Sequence, residues 1–384
     1  MSDTRNRKES IRVNLPQGPK CTVLALGGDL KCRPALVHEG RAILLDEVGD
    51  LASPENQDAL VDLVRETHPD IVVCDRHPGY FSHRLAHASA GEWGADLVEI
   101  QHHRAHVAAV CAEHGMFEEP VVGLAFDGTG YGDDGTAWGG EFFAGSVTGG
   151  FARWGHFAAL PMPGGDAAVM EPWRSALALL IQRETAPAII EKWIVDRRVP
   201  LNDIKTFERA VRRGFAVGRS TALGRWFDAA SALLGICMKA DFEAQPAIEL
   251  QRAAERLEGE PAPWPVEVLE DSLFIIDFPA PERIAASDAT GRNALAAGFH
   301  RAAARAAAEV AAHLAAELQT NKVVVSGGCF LNRLFDRLLA EGLSERNLEV
   351  TRPLALPPGD QALALGQIVL AQIGQPGVET PTDQ

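Results

Sequence analysis

The chain has 384 residues, 46% hydrophobic and 23% charged, enough for two or three packed units around a sizeable core, which excludes disorder as a description of the whole. Its 36 basic and 52 acidic residues leave a net charge of −16, which argues against a nucleic-acid backbone binder, since such proteins gather Lys and Arg on one face. No apolar run approaches the roughly 20 residues of a membrane helix, and the polar opening MSDTRNRKESIR is unlike a signal peptide, so a cytoplasmic protein with no membrane partner is expected. The six cysteines form no CxxC pair, which leaves no zinc ribbon and no disulfide framework.

A polar segment, 1–19, reads as a flexible N-terminus. Residues 21–28, 34–38 and 42–48 then form a strand meander, turned at Gly27-Gly28-Asp29 and Glu39-Gly40. A helix fits Pro54–Thr67, a strand Ile71–Cys74, a helix Tyr80–Ala90, a strand Asp96–Ile100 and a helix His102–His114. After a break at Gly115–Pro120, a second meander takes Val121–Asp127, Gly139–Ser146 and Phe151–Phe157, with a turn at Asp133-Asp134-Gly135. From Leu160 to about Leu257 the pattern is mostly helical, and GEPAPWP at 259–265 is a loop. Helix Asn293–Leu318, strand Lys322–Ser326, helix Phe330–Ala340, strand Leu348–Thr351 and helix Asp360–Ile373 complete the order.

The reading is α/β, with two tandem βββαβαβα lobes: 20–117, and 118–373 with a helical insert at about 160–270, before a polar tail at 374–384. The order matches the actin/Hsp70/sugar-kinase architecture, in which nucleotide lies between two such lobes.

His102 and His106 stand at i and i+4 on one predicted helix, so both can reach one metal ion, although a solvated or hydrogen-bonded pair gives the same spacing. His103 points elsewhere. Asp127 closes a strand and Asp360 opens a helix; they can complete a site of two histidines and two aspartates, or serve as a turn residue and a helix cap. Ser326-Gly327-Gly328 suits a phosphate-facing turn or a plain tight turn. Asp228, in GRWFD, suits a ribose acceptor or a surface position on a helix. Leu160–Asp166 is a substrate gate or a connector, and Asp75-Arg76-His77-Pro78 an ordinary turn. Cys329 would feel a helix N-terminus, which lowers a thiol pKa, but no general base lies near it and a structural role is expected.

In this order, VLALGGDLK, CDRHPGYFSHRLA, QHHRAH, FDGTGYGDDGTAWGGE, PGGDAAVMEPWR, GRWFDAASALLGIC, SGGCFLNRL and PPGDQALALGQ resemble the C-terminal carbamoyltransferase region of HypF, a maturation factor of nickel-iron hydrogenases. The resemblance covers about residues 20–373. It implies a fold shared with the tRNA threonylcarbamoyl transferase TsaD and with antibiotic O-carbamoyltransferases. It further implies a divalent metal, iron or zinc foremost, held by His102, His106, Asp127 and Asp360 as the catalytic set. Gly128, Thr129, Gly130, Tyr131, Gly224, Asp228, Gly327, Gly328 and Asn332 would bind the adenylate. Two stretches depart from the family: Glu243-Ala244-Gln245 stands for EGQ, and Gly359-Asp360-Gln361-Ala362 for GDGG.

The activity so implied is transfer of the carbamoyl group of carbamoyl-adenylate, made from carbamoyl phosphate and ATP, to the C-terminal cysteine thiol of HypE, on the route to the cyanide ligands of the active-site iron. No nucleic acid is expected as a partner. The acylphosphatase, zinc and YrdC-like domains that precede this region in full-length HypF are not expected in the short stretch before Cys21. The alternatives are a carbamoyl or threonylcarbamoyl transferase acting on tRNA or a small-molecule hydroxyl, and a non-catalytic ATP-binding scaffold.

Overall fold

The computed structural model describes residues 11–16, 21–200, 204–288 and 290–373. The first sheet holds β1 (Arg12–Asn14), β2 (Val23–Ala25), β3 (Ala35–His38), β4 (Arg41–Leu44), β5 (Ile71–Asp75) and β6 (Asp96–Ile100), in the order β1-β4-β3-β2-β5-β6. The three hydrophobic strands of the meander pair antiparallel, and β2, β5 and β6 run parallel through crossover helices. The crossovers run through α1 (Pro54–Thr67) and α2 (Phe81–Trp93), and α3 (His102–Glu113) leads from β6 to the second lobe. Asp29, in the turn after β2, caps α2 by accepting from the Phe81 and Ser82 amides.

The second lobe repeats this order. Strands β7 (Val121–Phe126), β8 (Gly140–Ser146) and β9 (Gly150–Phe157) form its meander. The insert carries β10 (Leu160–Pro163), helices α4 (Asp166–Met170), α5 (Trp173–Gln182), α6 (Pro187–Asp196) and α7 (Ile204–Arg212), β11 (Val217–Ser220), α8 (Leu223–Leu233) and α9 (Gln245–Glu255). Then come β12 (Glu267–Glu270), β13 (Phe274–Asp277), α10 (Pro281–Ala285), α11 (Arg292–Glu317), β14 (Lys322–Ser326), α12 (Arg333–Ser344), β15 (Glu349–Thr351) and α13 (Leu363–Gln372). The sheet order is β12-β13-β9-β8-β7-β14-β15. With β12 and β13 set aside, β9-β8-β7-β14-β15 matches β4-β3-β2-β5-β6 strand for strand and direction for direction. The molecule is therefore a two-lobed α/β protein of the actin/Hsp70/sugar-kinase type.

Four expectations change. Residues 12–14, placed in a flexible N-terminus, form an edge strand on β4, with Val13 opposite Ala42; the alternating burial of Arg12, Val13 and Asn14 explains why so short a strand holds. The rest of 1–10 and 17–20, like the tail 374–384, lies outside the described residues. The insert is not wholly helical: Leu160–Pro163 pairs with Val217–Ser220 in a two-stranded ribbon, where prolines are tolerated because one edge carries no ladder. Strands β12 and β13 extend the second sheet past β9. The helices expected from Phe330 and Asp360 begin instead with 3-10 turns at Gly328–Leu331 and Asp360–Ala362.

The last helix also crosses the expected lobe boundary. α13 packs on the first sheet, whereas α3 packs on β7 and β14 of the second. Both helices are buried around nearly their whole circumference, so they form the centre of the molecule. One core cluster runs through them and joins Val23, Ala35 and Val73 of one sheet to Ala125, Phe143 and Val324 of the other. Separate clusters fill the outer face of the first sheet and the helical side of the second.

Candidate functional site

The strands β2, β5, β7 and β14 all end toward the cleft between the lobes, where ligands of open α/β sheets gather. His102 and His106 enter it from the first turns of α3, whose entry is capped by Gln101 accepting from the Arg104 amide at 2.9 Å. Asp127 follows β7, and Asp360 starts the turn into α13. One donor atom from each of these four side chains lies within 4.8 Å of the others. His106 Nε2 stands 3.2 Å from Asp127 Oδ2 and 3.5 Å from Asp360 Oδ1, and His102 Nε2 stands 3.8 Å from Asp360 Oδ1.

These atoms converge at charge-pair distances without well-formed hydrogen bonds. His102 Nε2, His106 Nε2 and Asp127 Oδ2 are all sealed from solvent and none has a hydrogen-bond partner. His106 Nε2 and Asp127 Oδ2 face each other as a charge pair at 3.2 Å, whereas His102 Nε2 is left without a partner, which for a buried polar atom costs about 1–3 kcal/mol. A cation among them removes that cost, and two imidazoles with two carboxylates suit iron, zinc or manganese. The opposite ring nitrogens are held as a metal site requires: His102 Nδ1 donates to Asp75 Oδ2 at 2.8 Å, and His106 Nδ1 pairs with the Ser326 hydroxyl at 3.2 Å. The residues present therefore fit a divalent metal.

The charges follow. Burial disfavours the His106 imidazolium, but the facing Asp127 and Asp360 carboxylates overcome it and raise its pKa to about 10. Burial likewise opposes the cation of His102, and Asp75 then Asp360 reverse the balance and raise it. For Asp360 burial favours the neutral acid, yet His106 and His102 hold it below its ordinary value. His103 is driven the other way, well below its usual range, by burial and then by His102 and His106. Contrary to pointing away, it is fully buried beside the pair: Gln101 Nε2 donates to its Nδ1 at 3.1 Å, which leaves Nε2–H of a neutral ring unpartnered.

The glycines expected at an adenylate are assembled around Asp127. The Gly128 amide donates to Asp127 Oδ1 at 2.7 Å, and the Gly224 amide donates to the Asp127 carbonyl at 3.0 Å. A Cβ at Gly224 would meet Gly128 Cα at 2.7 Å, so α8 starts against this loop only because neither residue has a side chain. Gly327, at φ +108°, holds a backbone shape that disfavours L side chains, and Gly328 lies so close that its Cβ would meet Asp127 Oδ1 at 2.9 Å. Thr129 is exposed and Tyr131 half-buried, its ring 5.3 Å from that of His77. A Cβ at Gly130 would stand 2.5 Å from His103 Cε1, so this glycine seats the loop on the histidines.

Asp228 is no surface residue. It is 4% exposed and paired with Arg225 at 2.8 Å, with Oδ1 unpartnered; burial, only partly opposed by Arg225, raises its pKa to about 6. Asn332 is tied into the fold at both ends of its carboxamide: Oδ1 caps α12 by accepting from the Phe335 amide at 3.1 Å, and Nδ2 pairs with His300 at 3.0 Å. Burial, then the Asp127 charge, push the Cys329 thiol well above its ordinary value, which overrides the expected helix-terminus effect. From sequence, Asp75 and Ser326 are expected only in turns, Arg225 only within GRWFD and His103 pointing away, none of the four with a role beside the histidine pair. Only Asp75 carried a signal, a carboxylate at the end of a buried parallel strand.

Two family models match the chain: the HypF Kae1-like domain over residues 18–113, and the carbamoyltransferase Kae1-like domain, second subdomain, over residues 123–367. Carbamoyltransferase HypF2 of Cupriavidus necator is 37% identical over 383 residues, covering 91% of this chain and 46% of that protein. A carbamoyltransferase HypF homolog of the same organism is 36% identical over 373 residues, covering 93% of each. A crystal structure of full-length HypF, described as phosphate- and nucleotide-bound, superposes with a TM-score of 0.82 at 29% identity over 94% of this chain and 47% of that one. The chain thus spans about half the length of several relatives it matches and nearly all of another. It belongs to the HypF carbamoyltransferase family, whose Kae1-like region it resembles in sequence and in fold.

Proposed function

We propose that the chain is a carbamoyltransferase of nickel-iron hydrogenase maturation, which passes the carbamoyl group of carbamoyl-adenylate to the C-terminal cysteine of HypE. The observation that carries this reading is the convergence of unpartnered His102 Nε2, His106 Nε2 and Asp127 Oδ2 beside the glycine turns of an interlobe cleft. The phosphate and nucleotide of the HypF relative support ATP-derived substrates here.

In the proposed step a cysteine thiolate of the partner attacks the carbamoyl carbon. An S–C bond forms, the C–O bond to the adenylate phosphate breaks, and AMP leaves with the electron pair, so a thiocarbamate results. The attacking thiol belongs to the partner, which agrees with the raised pKa of Cys329, the cysteine beside this site. His102, His106, Asp127 and Asp360 would hold a divalent cation, which when bound supplies Lewis-acid stabilisation of charge on carbamoyl or phosphate oxygens. Asp75 and Ser326 fix the two imidazoles. The Gly327–Gly328 turn brings backbone close to the phosphate, and the free Oδ1 of Asp228 accepts from ribose hydroxyls. Neutral His103 offers its Nε2–H as a donor in the same pocket. The net charge of −16 favours a protein acceptor over tRNA.

The test incubates the pure protein with carbamoyl phosphate, ATP and HypE, and in parallel with supplied carbamoyl-adenylate, and reads the mass of the HypE C-terminus. A carbamoyl gain in the second arm, abolished by His106→Ala, is expected. Nucleotide binding without mass gain in either arm overturns transfer and leaves the scaffold reading. Unchanged turnover in His106→Ala removes the metal site from the reaction.

A further inference from the structure

A second group of metal-ligating side chains lies on the outer side of the first lobe, apart from the four-residue cluster of the cleft. His83 and His87 stand at i and i+4 on α2, where side chains share a face. Their rings are 4.4 Å apart between centroids. Glu99 comes from β6, the edge strand beneath that helix; its Oε1 lies 2.7 Å from His87 Nε2 and 3.9 Å from the nearer nitrogen of the His83 ring. One donor atom from each of the three lies within 4.8 Å of the others.

We infer that His83, His87 and Glu99 form a second divalent-metal site, open to solvent and independent of the cleft. Two imidazoles and one carboxylate suit a late first-row cation, zinc above all, and three protein ligands leave a coordination position for water. The side chains are 14%, 47% and 37% exposed, so an ion can enter without unfolding and the site keeps an open face. Each ligand is already steered. Nδ1–H of His83 donates to the Asp75 carbonyl oxygen at 2.9 Å, which leaves Nε2 as the ligand atom of that ring, and His87 is drawn to Glu99, so little side-chain freedom is left to lose on binding. Asp75 thus serves both groups: its carboxylate orients His102 in the cleft, and its carbonyl orients His83 on the outside. No charge other than Glu99 faces the two histidines closely enough to pair with them among the described residues.

The probe is Zn2+ itself, added to the full chain after removal of all metal and measured by equilibrium dialysis with metal analysis, with thermal unfolding as a check on folding. Two ions per chain are expected for the native protein. His87→Gln, at an exposed position, loses one of them or weakens it at least tenfold; Glu99→Gln does the same, while His102→Gln with His106→Gln removes the other ion and leaves this one. Co2+ substitution adds a visible absorption band that disappears in His87→Gln. Unchanged zinc content and unchanged Co2+ absorption in folded His87→Gln and Glu99→Gln proteins overturn the site. A loss confined to the His102 and His106 variants overturns it equally, while leaving the proposed chemistry of the cleft standing.

Discussion

His102 Nδ1 donates to Asp75 Oδ2 at 2.8 Å across a separation of 27 residues, with both side chains sealed from solvent. The bond fixes the tautomer that presents Nε2 to Asp360 and His106, so Asp75 sets ligand geometry without being a ligand. Asp75→Asn keeps the size and removes the charge. It is expected to weaken metal in the cleft by about 10- to 100-fold, as loss of such supporting partners does elsewhere. Metal titration of the folded variant checks this, and an affinity equal to that of the native protein refutes it.

Asp228 links stability to pH. Burial raises its pKa from the ordinary 3.8 to about 6 in the folded chain, with Arg225 opposing only in part. A folded-state pKa above the unfolded one means that the native state binds the proton more tightly. The group's contribution is therefore fully present below the unfolded pKa and is lost as pH rises through about 6. At about 1.4 kcal/mol per unit the loss is on the order of 3 kcal/mol. Urea unfolding of native protein and Asp228→Asn across this range should show the native protein losing stability relative to the variant. Parallel curves would exclude the effect. The same substitution should weaken nucleotide binding above the folded pKa, where the carboxylate is the better acceptor.

Ala244 sits at φ +60° as the residue entering α9, a backbone shape that favours glycine. The left-handed region costs a non-glycine residue about 1 kcal/mol or more, and alanine is a poor helix N-cap. Ala244→Gly should raise stability by about 0.5–1 kcal/mol after the extra chain entropy of glycine is subtracted. Denaturant midpoints at constant slope measure it; a midpoint at or below that of the native chain would count against the strain.

The doubled order of strands was legible because each buried strand is a short β-branched run closed by glycine or a charged residue, as in VVGLAFDG and KVVVSGG. His102 and His106 were legible because a helix imposes their spacing. Asp127 and Asp360 lie 233 residues apart, and only the doubled topology suggests that they meet. The partners that finish the site were not legible. Ser326 reaches His106 across 220 residues, and nothing local distinguishes it from any serine in a turn. Strands β10 to β13 escaped because Leu160–Pro163 carries two prolines and Glu267–Glu270 is polar and largely exposed. An apolar circumference says that α13 is buried, but not that it is buried against the opposite lobe's sheet.

That crossing is tightest at one point. Helices α3 and α13 approach so closely that a Cβ at Gly366 would stand 1.8 Å from the Ala105 carbonyl oxygen and 2.9 Å from its Cα. The obstacle is backbone, which has no rotamer to yield, so the helices must separate. Gly366→Ala should therefore cost about 3 kcal/mol or more, at the upper end of overpacking changes. Ala105 lies between His102 and His106 on α3, so the shift should also spread the metal ligands and lower metal affinity in whatever fraction stays folded. Gly91 provides the control: it lies within α2 at an exposed position, and a Cβ there meets nothing within 4 Å. Gly91→Ala should stabilise by about 0.5–1 kcal/mol through helix propensity alone. Denaturation of the two variants thus gives opposite signs for the same chemical change, and a Gly366→Ala protein as stable as the native chain would show that α3 and α13 do not meet as described.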